Sequence, residues 1–455
     1  MTHLRRRRLA GAVLILPITA AATVAATATA PAGAAAAPGA PDRPTAVAST
    51  TAGTATTAVG RPRGDREVQA RLDALVAAGG TGVTALVDDG RRVRTATSGL
   101  ARLTPRTPMR TTNATRVGSI TKTFVATVAL QLEAEGRLSI DDSVERWLPG
   151  VVPGGSGITV RQLLNHTSGI DDYTAVPGWM QQAISDPTRP WRPEELIAVA
   201  TARPPLFPPG QGWSYSNTNY ILAGRIIEAA GGESAERLID RRIVRPLGLR
   251  STYLAVGHEV PRRQAHGYLP ASVATEYGVP LTDGDYTDTT HWTPTWAWTA
   301  GAMVSTTDDL SRFYRALFSG RLLPPAQLRE MTTTVTVQPG ARYGLGIAAL
   351  DRPCGTVWGH SGGIPGYTSN VVVDRRGRRA AVVLLATDLD ENSAAAYEDV
   401  VETTTCRIFG RSVTSVGGTG TPEATGRTGL PRDTERLGPR QFLDRLPTPS
   451  PSSGR

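Results

Sequence analysis

One lysine, Lys122, stands among the 49 lysine and arginine residues of this chain. An arginine side chain keeps its charge at any accessible pH, whereas the amine of a lysine can release and take up a proton. Lys122 follows Ser119 by three residues, a spacing that places both side chains on one face of a helix. Such a pair can couple a hydroxyl nucleophile to an amine that accepts its proton. The alternative interpretation is an ordinary cation on the surface of a helix.

Ser119 is predicted to open a helix after a glycine-containing loop. The positive end of the helix dipole favours negative charge there, and the Ser119 N–H can face a developing oxyanion. A serine hydroxyl is a poor nucleophile until a base removes its proton. Two residues can supply that base: Lys122, if burial lowers its pKa, or Tyr215, as a phenolate held by nearby cations.

Two more polar motifs follow Ser119 at long intervals. Tyr215-Ser216-Asn217 lies in a predicted polar loop, and the amide of Asn217 can hold the amide of a substrate. Further on, His360 is predicted to end a strand whose glycine-rich edge can receive a substrate backbone, with the Gly363 N–H as a second oxyanion donor. Each motif alone is weak, but their order and the single lysine make the combination specific. The candidate substrate-contacting residues are Asn217, His360, Ser361, Gly362 and Gly363.

Metal ions, cofactors and nucleic acids are not expected as partners. The chain has two cysteines and six scattered histidines, and neither an H-E-x-x-H nor a C-x-x-C motif occurs, so no metal site is predicted. The formal net charge of +9 is spread along the chain without a basic run beyond the leader. This mild excess suits solubility near anionic cell-wall polymers and gives little support for nucleic-acid binding.

Residues 1–37 have the pattern of an export signal. Arg5 to Arg8 form a positive region, Leu9 to Ala26 an apolar run, and Ala28 to Ala37 a stretch of small residues suited to cleavage. Pro17 makes the apolar run a weak spanning helix, so a cleaved signal peptide is favoured over a retained membrane anchor. The mature protein is therefore expected to be secreted, either extracellular or associated with the cell wall.

The remaining chain is predicted to contain one globular domain, residues 65–411. The segment 38–64 before it is rich in Ala, Thr, Pro and Gly and is predicted to be a linker. The segment 412–455 after it, rich in Gly, Thr, Pro and Ser, is predicted to be a disordered tail. In an exported chain Cys354 and Cys406 are expected to form one disulfide, and the alternative is two buried free thiols.

The elements that must position the site are strands at both ends of this domain and helices between them. A hairpin is predicted over residues 83–97, a helix over Ser119 to Glu135, and short helices and loops over 137–300. Further strands are predicted at 343–348, 356–360, 370–374 and 380–386, followed by a closing helix at 394–409. This order predicts an α+β fold, in which an antiparallel sheet from the N- and C-terminal segments is flanked by helices and receives an inserted, mainly helical lobe.

Six stretches of the chain resemble the serine beta-lactamase and penicillin-binding protein fold. They are VGSITKTFVA (117–126), ITVRQLLNHTSGIDDYT (158–174), YSNTNY (215–220), TAGAMVSTTDDL (299–310), YGLGI (343–347) and GHSGGIPGY (359–367). The likeness is closest to the secreted actinobacterial D-alanyl-D-alanine carboxypeptidases of the class C-like branch, peptidase family S12. It implies a serine hydrolase that forms an acyl-enzyme on cell-wall-type peptides.

The resemblance also implies roles for single residues. Ser119 corresponds to the acylated nucleophile, with Lys122 and Tyr215 as its proton-transfer partners. Asn217 corresponds to a ligand of the substrate amide, and His360 to the lysine or histidine of the third motif. The implied partners are a small peptide, ester or beta-lactam substrate and peptidoglycan fragments, without a cofactor. A monomer is expected.

The third motif departs from the carboxypeptidases that the chain resembles. Those enzymes usually carry His-Thr-Gly-Thr and a nearby arginine, which hold the terminal carboxylate of the substrate. Here Ser361 and Gly363 stand at the two threonine positions, and Ala348 stands about where the arginine is expected. The hydroxyl of Ser361 can still bind a carboxylate, but weaker dependence on one is predicted. Esterase or beta-lactamase activity on the same fold is the first alternative.

Two other interpretations of these motifs are a different hydrolase fold and a non-catalytic protein. Gly359 to Gly363 also matches G-x-S-x-G, the nucleophile elbow of α/β-hydrolases, but that fold needs a histidine later in the chain and none follows His360. A non-catalytic penicillin-binding wall sensor is the second alternative, although such a protein would not need the whole proton-transfer set. His166 is predicted to be structural, and the resemblance places Trp296 on the cleft wall.

Overall fold

The computed structural model describes residues 65–257, 260–261 and 263–413. The predicted leader (1–37), the predicted linker (38–64) and the predicted tail from residue 414 onward lie outside the described residues. None of the described helices is long and apolar enough to cross a membrane.

An antiparallel sheet runs through the described part of the chain. The strands are β1 (Gly82–Asp88), β2 (Val93–Arg102), β3 (Thr107–Pro108), β4 (Thr115–Arg116), β5 (Tyr253–Leu254), β6 (Tyr268–Pro270), β7 (Tyr286–Asp288), β8 (Met303–Ser305), β9 (Val335–Gln338), β10 (Ala341–Tyr343), β11 (Ala348–Arg352), β12 (Gly355–Ile364), β13 (Tyr367–Val373) and β14 (Ala380–Leu385). Among the described residues, nine strands pair in the order β3-β2-β1-β14-β13-β12-β11-β10-β9. Because β1 pairs with β14, the first hairpin joins the last strands, and the predicted sheet built from both ends of the domain is confirmed.

Helices cover both faces of this sheet. They are α1 (Arg66–Ala77), α2 (Thr121–Ala134), α3 (Val144–Trp147), α4 (Val160–Leu164), α5 (Trp179–Ser185), α6 (Pro193–Thr201), α7 (Asn217–Gly231), α8 (Ala235–Ile239), α9 (Arg245–Leu247), α10 (Ala271–Tyr277), α11 (Trp298–Gly301), α12 (Thr307–Phe318), α13 (Pro325–Thr332) and α14 (Ala394–Ile408). Alternate side chains of a strand point to opposite faces. Val83, Ala85 and Val87 of β1 accordingly pack with α1 and α14, whereas Leu86 joins the core that contains α2 and α12. The helices between β4 and β8 form the predicted helical lobe.

The central strand β12 is longer than the sequence predicts. Its first half, up to Gly359, pairs with β11, and its second half, up to Ile364, pairs only with β13. The prediction that His360 ends a strand is therefore wrong, because pairing with β13 continues through the glycines that follow it. The β11-side edge of β12 is left without a strand partner from His360 onward, and this edge faces Ser119.

The predicted strand over residues 343–348 is also corrected. The structure has two short strands there, β10 and β11, separated by a turn in which Gly346 has φ +70°. A Cβ atom on Gly346 would lie 2.7 Å from the Cβ of Ala126 and 2.8 Å from the carbonyl oxygen of Lys122. The chain bends here because it packs directly against α2, a contact that strand periodicity does not encode.

Cys354 and Cys406 form the predicted disulfide, with their Cα atoms 5.2 Å apart. The bond links the turn before β12 to the last turn of α14. It closes a sequence separation of 52 residues. The strand that borders Ser119 is therefore covalently tied to the helix that covers its other face.

Candidate active site

Ser119 lies on a tight turn that is packed against β12. The predicted helix from Ser119 to Glu135 begins instead with one 3-10 turn, Gly118–Ile120, and continues as α2. Gly118 has φ +51°, and a Cβ atom on it would lie 2.7 Å from the backbone nitrogen of Gly363. A Cβ atom on Gly362 would lie 2.1 Å from the carbonyl oxygen of Val117. Both glycines are therefore required for the serine turn to approach the strand edge.

Lys122 projects from the first turn of α2 and is completely buried. Its Nζ lies 3.0 Å from Ser119 Oγ, 2.8 Å from Asn217 Oδ1 and 2.7 Å from the carbonyl oxygen of Ala300. Asn217 and Ala300 offer only acceptor oxygens, so they take two amine hydrogens. The third position faces the hydroxyl of Ser119. A charged amine donates to that hydroxyl, whereas a neutral amine can accept its proton.

The surroundings of Lys122 lower its pKa, so that its neutral form is well populated near neutral pH. Burial lowers its pKa from 10.5 to about 7, against the opposing attraction of the Asp172 carboxylate. The position at the N-terminal end of α2 acts in the same direction, because the positive end of the helix dipole disfavours a cation. At pH 7 the neutral amine, which can accept the proton of Ser119 as the hydroxyl attacks, is therefore populated at little free-energy cost.

Asn217 is the first residue of α7, and its amide orientation is fixed by its neighbours. Its Nδ2 donates to Asp172 Oδ2 at 2.9 Å and to Thr174 Oγ1 at 3.2 Å. A carboxylate only accepts and an ammonium only donates, so this arrangement defines which end of the amide faces Lys122. Sequence reasoning missed Asp172, although it lies within the stretch ITVRQLLNHTSGIDDYT. Contact between Asn217 and a substrate stays a prediction.

His166 accepts hydrogen bonds from the residues on either side of Tyr215. The N–H of Ser214 donates to the carbonyl oxygen of His166 at 3.1 Å, and the N–H of Ser216 donates to its Nδ1 at 3.2 Å. The rings of His166 and Tyr215 have centroids 4.3 Å apart. Burial and the charge of Lys122 hold the pKa of His166 well below its usual range, so its ring is neutral. His166 also has φ +65°, a left-handed conformation that is unusual for a residue other than glycine.

His360 is buried, with 3% of its surface exposed. Its Nε2 accepts from the hydroxyl of Tyr343 at 2.8 Å, and its Nδ1 donates to the carbonyl oxygen of Ser361. Burial, together with the charge of Lys122, lowers the pKa of His360 to about 3. The ring is therefore neutral at physiological pH and brings no positive charge to the site. Its predicted contact with a substrate stays a prediction.

A cavity of about 180 Å³ opens in front of Ser119. Several predicted site residues lie on its wall: Ser119, Tyr215, Asn217, Trp296, Ser361, Gly362 and Gly363. The N–H groups of Ser119 and Gly363 belong to the two backbone segments that meet there. A Cβ atom on Gly363 would meet no other atom within 4 Å, in contrast to one on Gly362. The structure thus brings the three motifs together around one space.

A second, smaller cavity lies on the same face of β12 as Ser361. Ala348, Leu350, Ser361 and Asn370 are among its lining residues. Ala348 therefore contributes only a methyl group beside Ser361. Arg342, a nearby arginine that could bind a carboxylate, pairs instead with Asp351 at 2.9 Å and does not line either cavity.

Comparisons with known proteins show which family the chain matches and which solved structures it is similar to. A family model described as Beta-lactamase matches residues 65–405. The solved structure of a D-stereospecific amidohydrolase from Streptomyces sp. is 40% identical, covers 75% of this chain and 98% of that chain, and has a TM-score of 0.67. The D-amino acid amidase from Ochrobactrum anthropi SV3, solved with D-phenylalanine, is 31% identical, covers 76% of this chain and 97% of that chain, and also has a TM-score of 0.67.

Among curated relatives, a penicillin-binding protein of Bacillus subtilis (strain 168) is 32% identical over 298 residues, which is 61% of this chain. The present chain spans 62% of the length of that protein.

Proposed function

The chain belongs to the beta-lactamase family of serine hydrolases, and we propose that it hydrolyses D-aminoacyl amides and D-peptides through an acyl-enzyme on Ser119. The observation that carries the proposal is the 3.0 Å contact between Ser119 Oγ and Lys122 Nζ, an amine whose pKa is lowered to about 7. The D configuration is supported by the D-stereospecific amidohydrolase and the D-amino acid amidase to which the chain is similar.

The contacts around Ser119 support a two-step mechanism. Neutral Lys122 takes the hydroxyl proton as Ser119 Oγ attacks the substrate carbonyl carbon, and the oxyanion that forms accepts from the N–H groups of Ser119 and Gly363. The C–N bond then breaks, and the leaving amine receives the proton from Lys122, directly or through the hydroxyl of Tyr215. A water molecule attacks the resulting ester and gives a proton to the same base. The acid is released and Ser119 regains its hydrogen.

The leaving-group side of the site, beside Ser361 and Gly363, is proposed to depend weakly on a free carboxylate. Ala348 and Gly363 bring no polar side chain there, and Arg342 is engaged elsewhere. Each missing charged contact removes about 1.5–3 kcal/mol of preference for the acid. D-Alanyl-D-alanine peptides therefore remain substrates, but without the strong preference of a dedicated carboxypeptidase.

We also place the enzyme outside the cell, acting on cell-wall-type peptides. The disulfide between Cys354 and Cys406 supports this location because such bonds persist in oxidising compartments. The predicted signal peptide is the second support. Mass spectrometry of the culture medium and of the cell fraction would locate the mature chain and define its first residue.

The test of the reaction is hydrolysis of D- and L-phenylalaninamide by the wild type and by Ser119→Ala. We expect cleavage of the D amide, little cleavage of the L amide and only background activity in the variant. An acyl adduct on the peptide that contains Ser119 should be visible by mass spectrometry. Equal rates for both enantiomers would contradict the D preference. Cleavage of nitrocefin or short-chain esters alone would favour the beta-lactamase or esterase alternative, and acylation without turnover would favour a wall sensor.

The carboxylate dependence has a separate test. The ratio of kcat/KM for an acyl-D-Ala-D-Ala peptide to that for its C-terminal amide should stay below about a thousandfold, which corresponds to about 4 kcal/mol. A larger ratio would restore the carboxypeptidase assignment and would require a cation that grips the carboxylate.

A further inference from the structure

The cavity in front of Ser119 continues past β12 to helix α14. Ser361 and Gly363 face Asn370 and Thr368 of β13 across the strand pair, and these residues line this part of the cavity. Beyond them the wall is completed by Asp388, Leu389, Tyr397, Glu398, Val401 and Arg352. We call this part, from Ser361 to Glu398, the α14 arm.

The α14 arm is longer than one residue of a bound peptide. Arg352 pairs with Gly355, which precedes Ser361 by six residues on β12. At about 3.3 Å per residue, the two ends of this strand segment are roughly 20 Å apart. The Arg352 side chain can reach back along part of this distance. The cavity wall is still much longer than the group directly attached to the scissile bond.

The charged side chains on the arm are predominantly acidic. Two carboxylates, those of Asp388 and Glu398, line it, together with one guanidinium, that of Arg352. Ala348 and Gly363, beside the scissile bond, carry no charge. The side chains around a substrate in the α14 arm therefore carry a net negative charge. A free carboxylate on the substrate would instead need positively charged side chains there.

Glu398 is the carboxylate that α14 contributes to the wall of the arm. It sits on α14 next to Tyr397 and is partly buried. Burial raises its pKa, the charge of Arg352 opposes that effect without cancelling it, and the nearby carboxylate of Glu402 adds to the rise. A cation arriving in the arm would add the stabilisation that Arg352 leaves incomplete, whereas a second carboxylate would be repelled.

Resting on the acyl-enzyme function proposed above, we propose that Glu398 is a specificity-determining residue, which selects leaving groups that carry a positive charge over those that carry a carboxylate. The chemical class is a D-aminoacyl peptide or amide in which the residue after the scissile bond bears an amine on its side chain. The chemistry at Ser119 is unchanged, because Glu398 touches the departing segment and not the reacting carbonyl.

The experiment compares three substrates that differ only in the side chain of the leaving residue, each with its C-terminal carboxyl blocked as the amide: the α-amides of D-phenylalanyl-lysine, D-phenylalanyl-norleucine and D-phenylalanyl-glutamic acid. For the wild type we expect kcat/KM for the lysine substrate to exceed that for the glutamate substrate by about tenfold, with norleucine between them. In Glu398→Gln this ratio should fall to about twofold. Asp399→Asn is the matched control because Asp399 is exposed on α14, pairs with Arg71 and does not line the cavity.

A wild-type ratio within twofold, or an equal fall of the ratio in both variants, would overturn the proposal, because the selection would then be absent or due to the general field of the protein. Competition with a fluorophosphonate that labels Ser119 gives an independent measurement. The lysine peptide should protect Ser119 at lower concentration than the glutamate peptide, and equal protection would also overturn the proposal. If no amide is cleaved while this protection differs, the reaction assigned above is wrong and the charge selection of the arm stands.

Discussion

Replacement of Lys122 by arginine keeps a positive charge beside Ser119 but removes the amine that can be neutral at physiological pH. With a pKa of about 7, roughly half of the Lys122 amines are neutral at pH 7. A guanidinium, with a pKa above about 12, supplies a negligible neutral fraction. General base catalysis typically contributes about 10²- to 10⁴-fold, so the acylation rate of Lys122→Arg should fall by that factor. This loss corresponds to about 2.7–5.5 kcal/mol of activation free energy.

The assay is the rate of Ser119 acylation by a fluorescent penicillin or a fluorophosphonate, per folded molecule. Thermal unfolding must accompany it, because Lys122 is completely buried and arginine is larger. Lys122→Met is the second variant, since it removes both the charge and the base in a side chain of similar length. Similar losses in both variants would identify proton exchange as the missing function. Acylation by the arginine variant within about tenfold of the wild type, or 1.4 kcal/mol, would mean that charge alone suffices and that the base assignment is wrong.

Lys122, its neighbour Asp172 and the disulfide each give one further prediction. Because Lys122 must be neutral to accept a proton, kcat/KM should rise with pH through a midpoint near 7 and fall tenfold per unit below it; a flat profile between pH 5 and 8 would exclude this role. Asp172→Asn removes an attraction that raises the pKa of Lys122, so the midpoint of the pH profile should move below that of the wild type while kcat/KM falls. An unmoved midpoint would show that the Asp172 carboxylate does not act on the Lys122 amine. Reduction of Cys354–Cys406 should lower the free energy of unfolding by up to about 4 kcal/mol on the chain-entropy model and leave acylation per folded molecule unchanged; detection of two alkylatable thiols in the unreduced exported protein would contradict the disulfide.

The sequence predicts the overall fold because its periodic segments are strong. The helix after Ser119 carries five large apolar residues available for burial, Phe124, Val125, Val128, Leu130 and Leu132, and α2 is buried almost throughout. The last strand, β14, is a continuous run of Ala, Val and Leu, as in strands covered on both faces. The spacing of Ser119 and Lys122 predicted their contact for the same reason, since helix geometry fixes neighbours three residues apart.

The partners of the site were harder to predict because they come from distant parts of the chain. Asp172 orients Asn217 across 45 residues, and His166 holds the turn around Tyr215 across about 50. Neither pair leaves a periodic signal in a single sequence. The burial of His360 depends on Tyr343, which reaches it from β10, a strand whose boundary the sequence misplaced.

The two adjacent glycines of β12 differ in their roles, because one is required by packing and the other leaves space in the cavity. Gly362 is required by sterics, because a Cβ atom would collide with Val117 and crowd the nitrogen of Ser119. Gly363 is under no such restriction, since a Cβ atom there would point into open space. A side chain at Gly363 would therefore be compatible with the fold, and its absence widens the cavity next to Ser361. The first glycine sets how closely the nucleophile approaches the strand, whereas the second leaves room for the leaving group. Substrate range can thus change at Gly363 without any change in the machinery that activates Ser119.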